Sequence, residues 1–145
     1  MVFVSVTRLR IRSLRFLPGF GWHALRSRQQ VRAAAGYRGG SLLADDARTF
    51  WTMTLWDDQA SMRQFMTAGV HRAAMPHLLD WCDEASVVHW EQAEPAAPSW
   101  SEAGRRMRAE GRASKVRHPS PDHAGLAWTG PRSRTGSAMP PASHG

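Results

Sequence analysis

The stretch from Arg48 to Trp90 constrains this chain most, reading RTFWTMTLW, then DDQASMRQFMTAG, then VHRAAMPHLLDW, then CDEASVVHW. Alternation in its first nine residues sends Trp51, Met53 and Leu55 one way and Phe50, Thr52, Thr54 and Trp56 the other, so a strand with two partly buried faces is expected. Asp57 or Asp58 then offers a carboxylate to the free N–H groups of a helix start. Met62, Phe65 and Met66 make its apolar stripe, and Gly69 is expected to end it. A second helical piece places His71, Ala74, Met75, Leu78 and Trp81 on one face, with Pro76 breaking or kinking it unless it opens a new turn. Ala85 to Glu91 alternates again and reads as a returning strand, Val88 and Trp90 on one side, Val87 and His89 on the other.

Upstream, Val2 to Leu9 alternates Val2, Val4 and Val6 against Phe3, Ser5 and Thr7 and is a strand. Phe20 to Ala35 carries apolar residues at helical spacing and stops at Gly36. Tyr37 to Ala44 is a strand with a bulge or a close backbone contact at Gly39-Gly40, joined through Asp45-Asp46-Ala47 to the strand at Arg48. The order β-α-β-β-α-β is the ferredoxin-like α+β arrangement, two helices on one face of a four-stranded antiparallel sheet. The face carrying Phe50 and Trp56 among threonines is then left bare, too apolar for water, and a second copy of the chain is the expected cover.

Beyond Trp90 the composition changes. Residues 1–92 are expected to form the barrel-type domain and residues 93–145 a basic Pro/Gly/Ser-rich tail. Ser99-Trp100-Ser101-Glu102 has the spacing of a capping box and predicts a short helix near 99–110. Past Arg112 large apolar residues are few, and disorder is expected.

The 145 residues, 42% hydrophobic and 21% charged with a net charge of +7, suit one globular domain. The tail holds eight basic and four acidic groups against eleven and eight in residues 1–92. A polyanion partner would use that density, but Trp100 and Trp128 are the tail's only aromatics, too few for a base-stacking platform. Cys82, the single cysteine, excludes an internal disulfide and reads as a structural thiol in a helical stripe beside Trp81. Arginines interrupt the N-terminal apolar run, and no stretch approaches the ~20 apolar residues of a span; a cytoplasmic protein without a membrane partner is expected.

FVSVTRLRIRS, FWTMTLWDDQASMRQFM and GVHRAAMPHLLDWCDEASVVHW, together about residues 1–92, resemble the antibiotic-biosynthesis-monooxygenase-like dimeric α+β barrel superfamily. The branch they resemble most comprises uncharacterised bacterial proteins akin to spheroidene monooxygenase, a haem-dependent carotenoid enzyme. The resemblance implies a homodimer and a cavity between sheet and helices for a small apolar or aromatic ligand. It also implies oxygenase chemistry with haem or with no cofactor. Haem-degrading relatives have an asparagine on the first strand, where this chain has Ser5 and Thr7. Their ligand histidine aligns with Met75, flanked here by His71 and His77.

His71 is the foremost chemical candidate, as a haem ligand or as an acid or base, with the bland alternative of a core histidine. Trp56 is expected as a cavity wall whose indole N–H orients substrate. Ser5, Thr7, Phe50, Thr52, Thr54, Met75 and His89 complete the expected lining. His77 reads as a solvated partner of Asp80. No zinc spacing, phosphate loop or catalytic triad is present. The leading reading is a monooxygenase-like protein; a small-ligand-binding or dimerisation module stands against it, and weak nucleic-acid contact through the tail is third.

Overall fold

The computed structural model describes residues 1–131 and 136–142. In chain order the elements are β1 (Val2–Ile11), a 3-10 turn (Leu14–Phe16), α1 (Leu17–Arg32), β2 (Tyr37–Asp45), β3 (Thr49–Trp56), α2 (Gln59–Met66), α3 (Gly69–Trp81), β4 (Cys82–Gln92), α4 (Trp100–Glu110), β5 (Arg112–Ala113) and β6 (Ser137–Ala138). The strands form one antiparallel sheet in the order β5-β4-β1-β3-β2-β6. Its central four are the ferredoxin-like set, and the two-residue β5 and β6 cap part of each edge.

Local chemistry accounts for the joints. Pro18 lies in the first turn of α1, where its missing N–H costs nothing. The β2–β3 hairpin turns through Ala47 and Arg48, both with positive φ (55° and 60°), and Arg48 Nε donates to the Ile11 carbonyl at 2.9 Å, which holds the turn. β2 slips register between Tyr37 and Gly39, and a Cβ at Gly40 would strike the Met53 carbonyl. Both expected glycine effects therefore occur, a bulge and a close approach. Asp58 Oδ1 accepts from the Ser61 N–H at 2.8 Å and caps α2. Gly69, at φ +57°, opens α3 rather than ending α2. α3 runs unbroken through Pro76, and Cys82 lies in the first position of β4, not in a helix.

The two sides of the sheet differ from the expectation in what covers them. Cross-strand register aligns Val4, Leu55 and Trp90, and likewise Val6, Met53 and Val88. These residues form one core with Trp51, Leu43 and the tail residues Trp100, Ala103, Met107, Leu126 and Trp128. The opposite side, with Phe3, Trp56 and Tyr37, lies under α1 and α2 and packs on Val31 and Met62. Phe50 and Trp56 thus sit beneath the helices, and the side the helices leave is apolar around Val4, Val6, Met53 and Leu55 and carries Arg8, Glu84 and Ser86 at one end.

That side is closed from within the chain. Trp100, Ala103 and Met107 recur at i, i+3 and i+7 and make the buried stripe of α4, whose Ser99 Oγ accepts from the Glu102 N–H at 3.1 Å. Residues 112–131 and 136–142, expected to be disordered from their composition, are tied down by backbone bonds. Ser114, Arg117 and Ser120 N–H donate to the carbonyls of Ala85, Leu79 and Asp83, and Met139 N–H to Gly40. Tyr37 Oη donates to the Met139 carbonyl at 2.6 Å. The remainder of that expectation, residues 132–135 and 143–145, lies outside the described residues. The side the helices leave is therefore filled by the chain's own tail, and it is the Trp51, Met53 and Leu55 face, not the Phe50 and Trp56 face for which a second subunit is expected from the sequence.

Candidate functional site

Under the helices the sheet floor is polar at its centre and apolar at both ends. Register places His89, Ser5 and Thr54 side by side across β4, β1 and β3, and Val87, Thr7 and Thr52 in the next row. At one end Phe3, Trp56 and Tyr37 pack with Val31 and Met62. At the other, Phe20 of α1 lies 4.8 Å from Phe50, centroid to centroid, and Phe16 lies 6.5 Å from Trp81.

The helices above the polar rows are thin. Phe20 and Val31 fix the inward face of α1, and the residues between them on that face are Ala24 and Ser27. α3 contributes Ala74, its one buried residue. Of the polar rows, Ser5 and Thr54 are buried and Thr7, Thr52 and His89 half-buried beneath these short side chains, whereas Trp51 and Met53 on the other side are sealed.

Two polar groups on this floor are buried without a partner among the described residues, Trp56 Nε1 and His89 Nε2. Trp56 itself is 0% exposed. A buried N–H or imidazole nitrogen left unsatisfied costs about 1–3 kcal/mol, so each calls for an acceptor or donor from a guest molecule or water. The two residues stand two strand spacings apart and two residues out of register, about 12 Å on the diagonal, with Phe3 and Ser5 between them and the Phe3 ring 5.4 Å from that of His89. Burial, and the nearby Arg112 and Arg63, push the His89 imidazole below its ordinary value, which keeps it neutral and able to accept a proton.

His71 lies at the rim, at the end of an aromatic row. Tyr37, Trp56, Phe65 and His71 succeed one another at centroid distances of 5.3, 5.6 and 4.8 Å. Its Nδ1–H donates to the Met66 carbonyl at 3.2 Å, and its backbone N–H donates to Gln30 Oε1 at 2.9 Å. Burial lowers its pKa, with the Met66 bond opposing. A haem ligand needs Nε2 facing an open slot, and here the Phe65 ring stands between His71 and Trp56. The nearby groove of about 380 Å³ is walled by Gln30, Ala34, Ser61 and Phe65 among others and does not include His71. These residues do not fit a porphyrin, and no step is routed through one. No group of metal-binding residues occurs among the described residues.

The other expected lining residues divide cleanly. Ser5, Thr7, Phe50, Thr52, Thr54, Trp56 and His89 share the helix-side face, whereas Met75 points outward and is 42% exposed. Met75 failed because its helical stripe is wider than the buried one, which holds Ala74 alone. His77 stacks on Trp81 at 5.0 Å, and Asp80 approaches Arg12 and His118 instead. The sequence reading missed Phe3, Ala24 and Ser27; the spacing of Phe20, Ala24, Ser27 and Val31 was the available signal.

Solved structures share this fold at low identity. A conserved protein from Methanosarcina mazei Go1 superposes with TM-score 0.58 at 12% identity, covering 63% of this chain and 93% of its own. A variant of SnoaB, a cofactor-independent oxygenase from Streptomyces nogalater, gives 0.54 at 12%, covering 64% and 94%. A structure described as an antibiotic biosynthesis monooxygenase gives 0.57 at 13%, covering 65% and 100%. These neighbours establish the ferredoxin-type α+β fold. No curated protein matches the sequence. A family model matches residues 10–115, from within β1 past the end of α4, and the chain belongs to that family, the domain of unknown function DUF3291.

Proposed function

We propose that the layer between the sheet and α1–α3 holds a small, mainly apolar fused-ring molecule and that the protein is a monooxygenase-like enzyme needing no bound cofactor. The observation that carries this is the pair of unpartnered buried nitrogens, Trp56 Nε1 and His89 Nε2, on one floor with Ser5, Thr7, Thr52 and Thr54. In this reading Trp56 donates to a substrate oxygen. Neutral His89 accepts a proton from an activated carbon, and the hydroxyl rows orient the ring edge. An activated methylene and dioxygen then give a carbonyl and water. One oxygen atom stays on carbon, the other leaves as water, and all four electrons come from the substrate. A relative of the same fold, SnoaB, is described as a cofactor-independent oxygenase, which agrees in kind.

His71 supports the layer from its rim by holding Gln30 and Met66. We place the working unit at one chain, because homodimerisation through the apolar sheet side would require the tail to leave. Two described tail arginines are already engaged, Arg106 with Glu102 and Trp90 and Arg108 with Trp128, which weighs against a nucleic-acid role.

The test is oxygen uptake by purified protein with anthrone as probe. Uptake equal to substrate consumed, falling at least about tenfold in His89→Ala and in Trp56→Phe, supports the reading. Saturable quenching of tryptophan fluorescence with no oxygen uptake supports a ligand-binding module instead. Neither uptake nor binding removes the site.

A further inference from the structure

The three helices that roof the layer carry an uneven surface. α1, α2 and α3 hold five arginines, Arg26, Arg28, Arg32, Arg63 and Arg72, and a single carboxylate, Asp80. Asp80 is taken up by Arg12 at 3.5 Å and His118 at 3.6 Å. The first 44 residues contain eight arginines and no acidic residue at all. On the outward side of this layer Arg15, Arg26 and Arg72 are exposed and enter no ion pair among the described residues.

Large apolar side chains project from the same surface. Leu14 is 67% exposed, Trp22 55%, Leu25 53% and Met75 42%, and apart from Met1 these are the exposed large hydrophobics of the described chain. Three of them stand on the neighbouring helices α1 and α3, and Leu14 on the turn that leads into α1. His23 of α1 lies 5.4 Å from His77 of α3, and Gln30 meets His71, so the two helices run antiparallel with Leu25 level with Met75. Trp22 and Leu25 are one helical turn apart, and the Arg26 guanidinium carbon stands 5.3 Å from the Trp22 ring. Arg12 and Arg15 flank the Phe16 ring in the same way, at 4.6 and 4.7 Å.

We propose that this α1/α3 surface is a peripheral docking face for an anionic lipid bilayer. Arginines without acidic neighbours supply attraction to lipid phosphates, and a tryptophan with leucines at the same height supplies shallow insertion below the headgroups. The apolar groups protrude from a two-helix surface instead of lining a hollow, the shape that enters a soft interface better than it receives a protein knob. No described helix is long and apolar enough to cross a membrane, so contact is in the plane of the surface. This inference does not depend on the oxygenase reading.

The experiment is co-sedimentation of the full chain with vesicles of phosphatidylcholine alone or mixed with phosphatidylglycerol, at low and high salt. The mixed vesicles should pellet the protein at low salt and release it at high salt, and phosphatidylcholine alone should not retain it. Trp22→Ser with Leu25→Ser should weaken partition by about tenfold or more, and Arg26→Gln or Arg72→Gln by about fivefold each. All four side chains are solvent-facing, so far-ultraviolet circular dichroism should be unchanged. Absence of the chain from the anionic pellet overturns the proposal, as does undiminished binding by the double variant, which would assign the affinity to other basic segments. Retention on immobilised polyglutamate without vesicle binding would give the face to an acidic protein instead.

Discussion

Arg8 and Trp128 lie face to face, the guanidinium carbon 4.2 Å from the centroid of the indole ring. The same guanidinium donates to Glu84 Oε1 at 2.7 Å with both side chains buried. Ser120 Oγ and Arg10 Nη1 donate to Glu84 Oε2 at 2.6 and 3.1 Å. A first-strand cation, a fourth-strand anion and two tail residues thus form one unit that fixes where the tail lies. Burial pulls the Arg8 pKa down in spite of Glu84, so the group specifies position more than it adds net stability.

Glu84→Gln is expected to cost about 3–5 kcal/mol in urea unfolding, because it leaves the Arg8 charge buried without its counter-charge. Burial alone would raise the Glu84 pKa, but the donors Ser120, Arg8 and Arg10 together outweigh it and the net shift is downward. A depressed carboxylate contributes stability above its unfolded value, and that contribution is lost as pH falls through the lower folded value. The acid limb of the stability profile below about pH 4.5 should flatten in Glu84→Gln. A variant as stable as the parent, with the same acid limb, would remove this group from the account.

Met107→Ala, at a side chain 0% exposed in the core shared by α4 and the sheet, should cost about 2–5 kcal/mol. A chain ended at Glu94 should lose solubility or self-associate in light scattering, since Val4, Val6, Trp51, Met53 and Leu55 would then face water. A soluble, folded monomer of that shortened chain would show that the apolar side needs no cover.

Acid should act on the helix layer through its histidines. Burial lowers the pKa of both His71 and His89. The folded state therefore resists protonation, and the associated stability is present above the unfolded value near pH 6.5 and lost as pH falls through the folded values. Replacing both with Phe should remove that slope below about pH 6.5. His71→Phe should also lose the Met66 bond and cost about 1 kcal/mol more than the ring exchange alone. Calorimetric midpoints across the range would measure it.

Cys82 should be inert. It is fully buried, and burial, with the Asp83 charge adding, pushes its thiol up to about 12. Iodoacetamide at neutral pH should leave it unmodified in the folded protein and label it fully in urea, by intact mass. Rapid labelling of the native chain would place the start of β4 elsewhere.

Alternation made the strands legible, and the Asp58 and Ser99 caps announced two helices. The covering of each side was not legible from period alone, since alternation divides a strand into two faces without naming their neighbours. Phe50 and Trp56 are the larger rings on their face, yet Trp51, Met53 and Leu55 with Val4 and Val6 make the more apolar one. Its cover was written in Trp100, Ala103 and Met107, a buried stripe in a helix that reads as basic because Arg105, Arg106 and Arg108 stand beside it. Composition likewise misjudged the stretch from Arg112 onward, where few but well-placed anchors, Leu126, Trp128 and Met139, hold Pro- and Gly-rich backbone down. The polar floor was visible as Ser5, Thr7, Thr52 and Thr54, and helical spacing put Ala24 and Ala74 on the apolar faces of their helices; Ser27 was not legible as roof, because a hydroxyl interrupts the apolar pattern.

Hydrogen exchange of the intact protein, resolved to single amides, tests most directly that the tail closes one side of the sheet and leaves the helix side as the site. The amides of Ala103 and Met107 should exchange as slowly as those of Val6 and Met53 in the sheet they cover. Exchange of α4 within seconds, while the sheet stays protected, would contradict it.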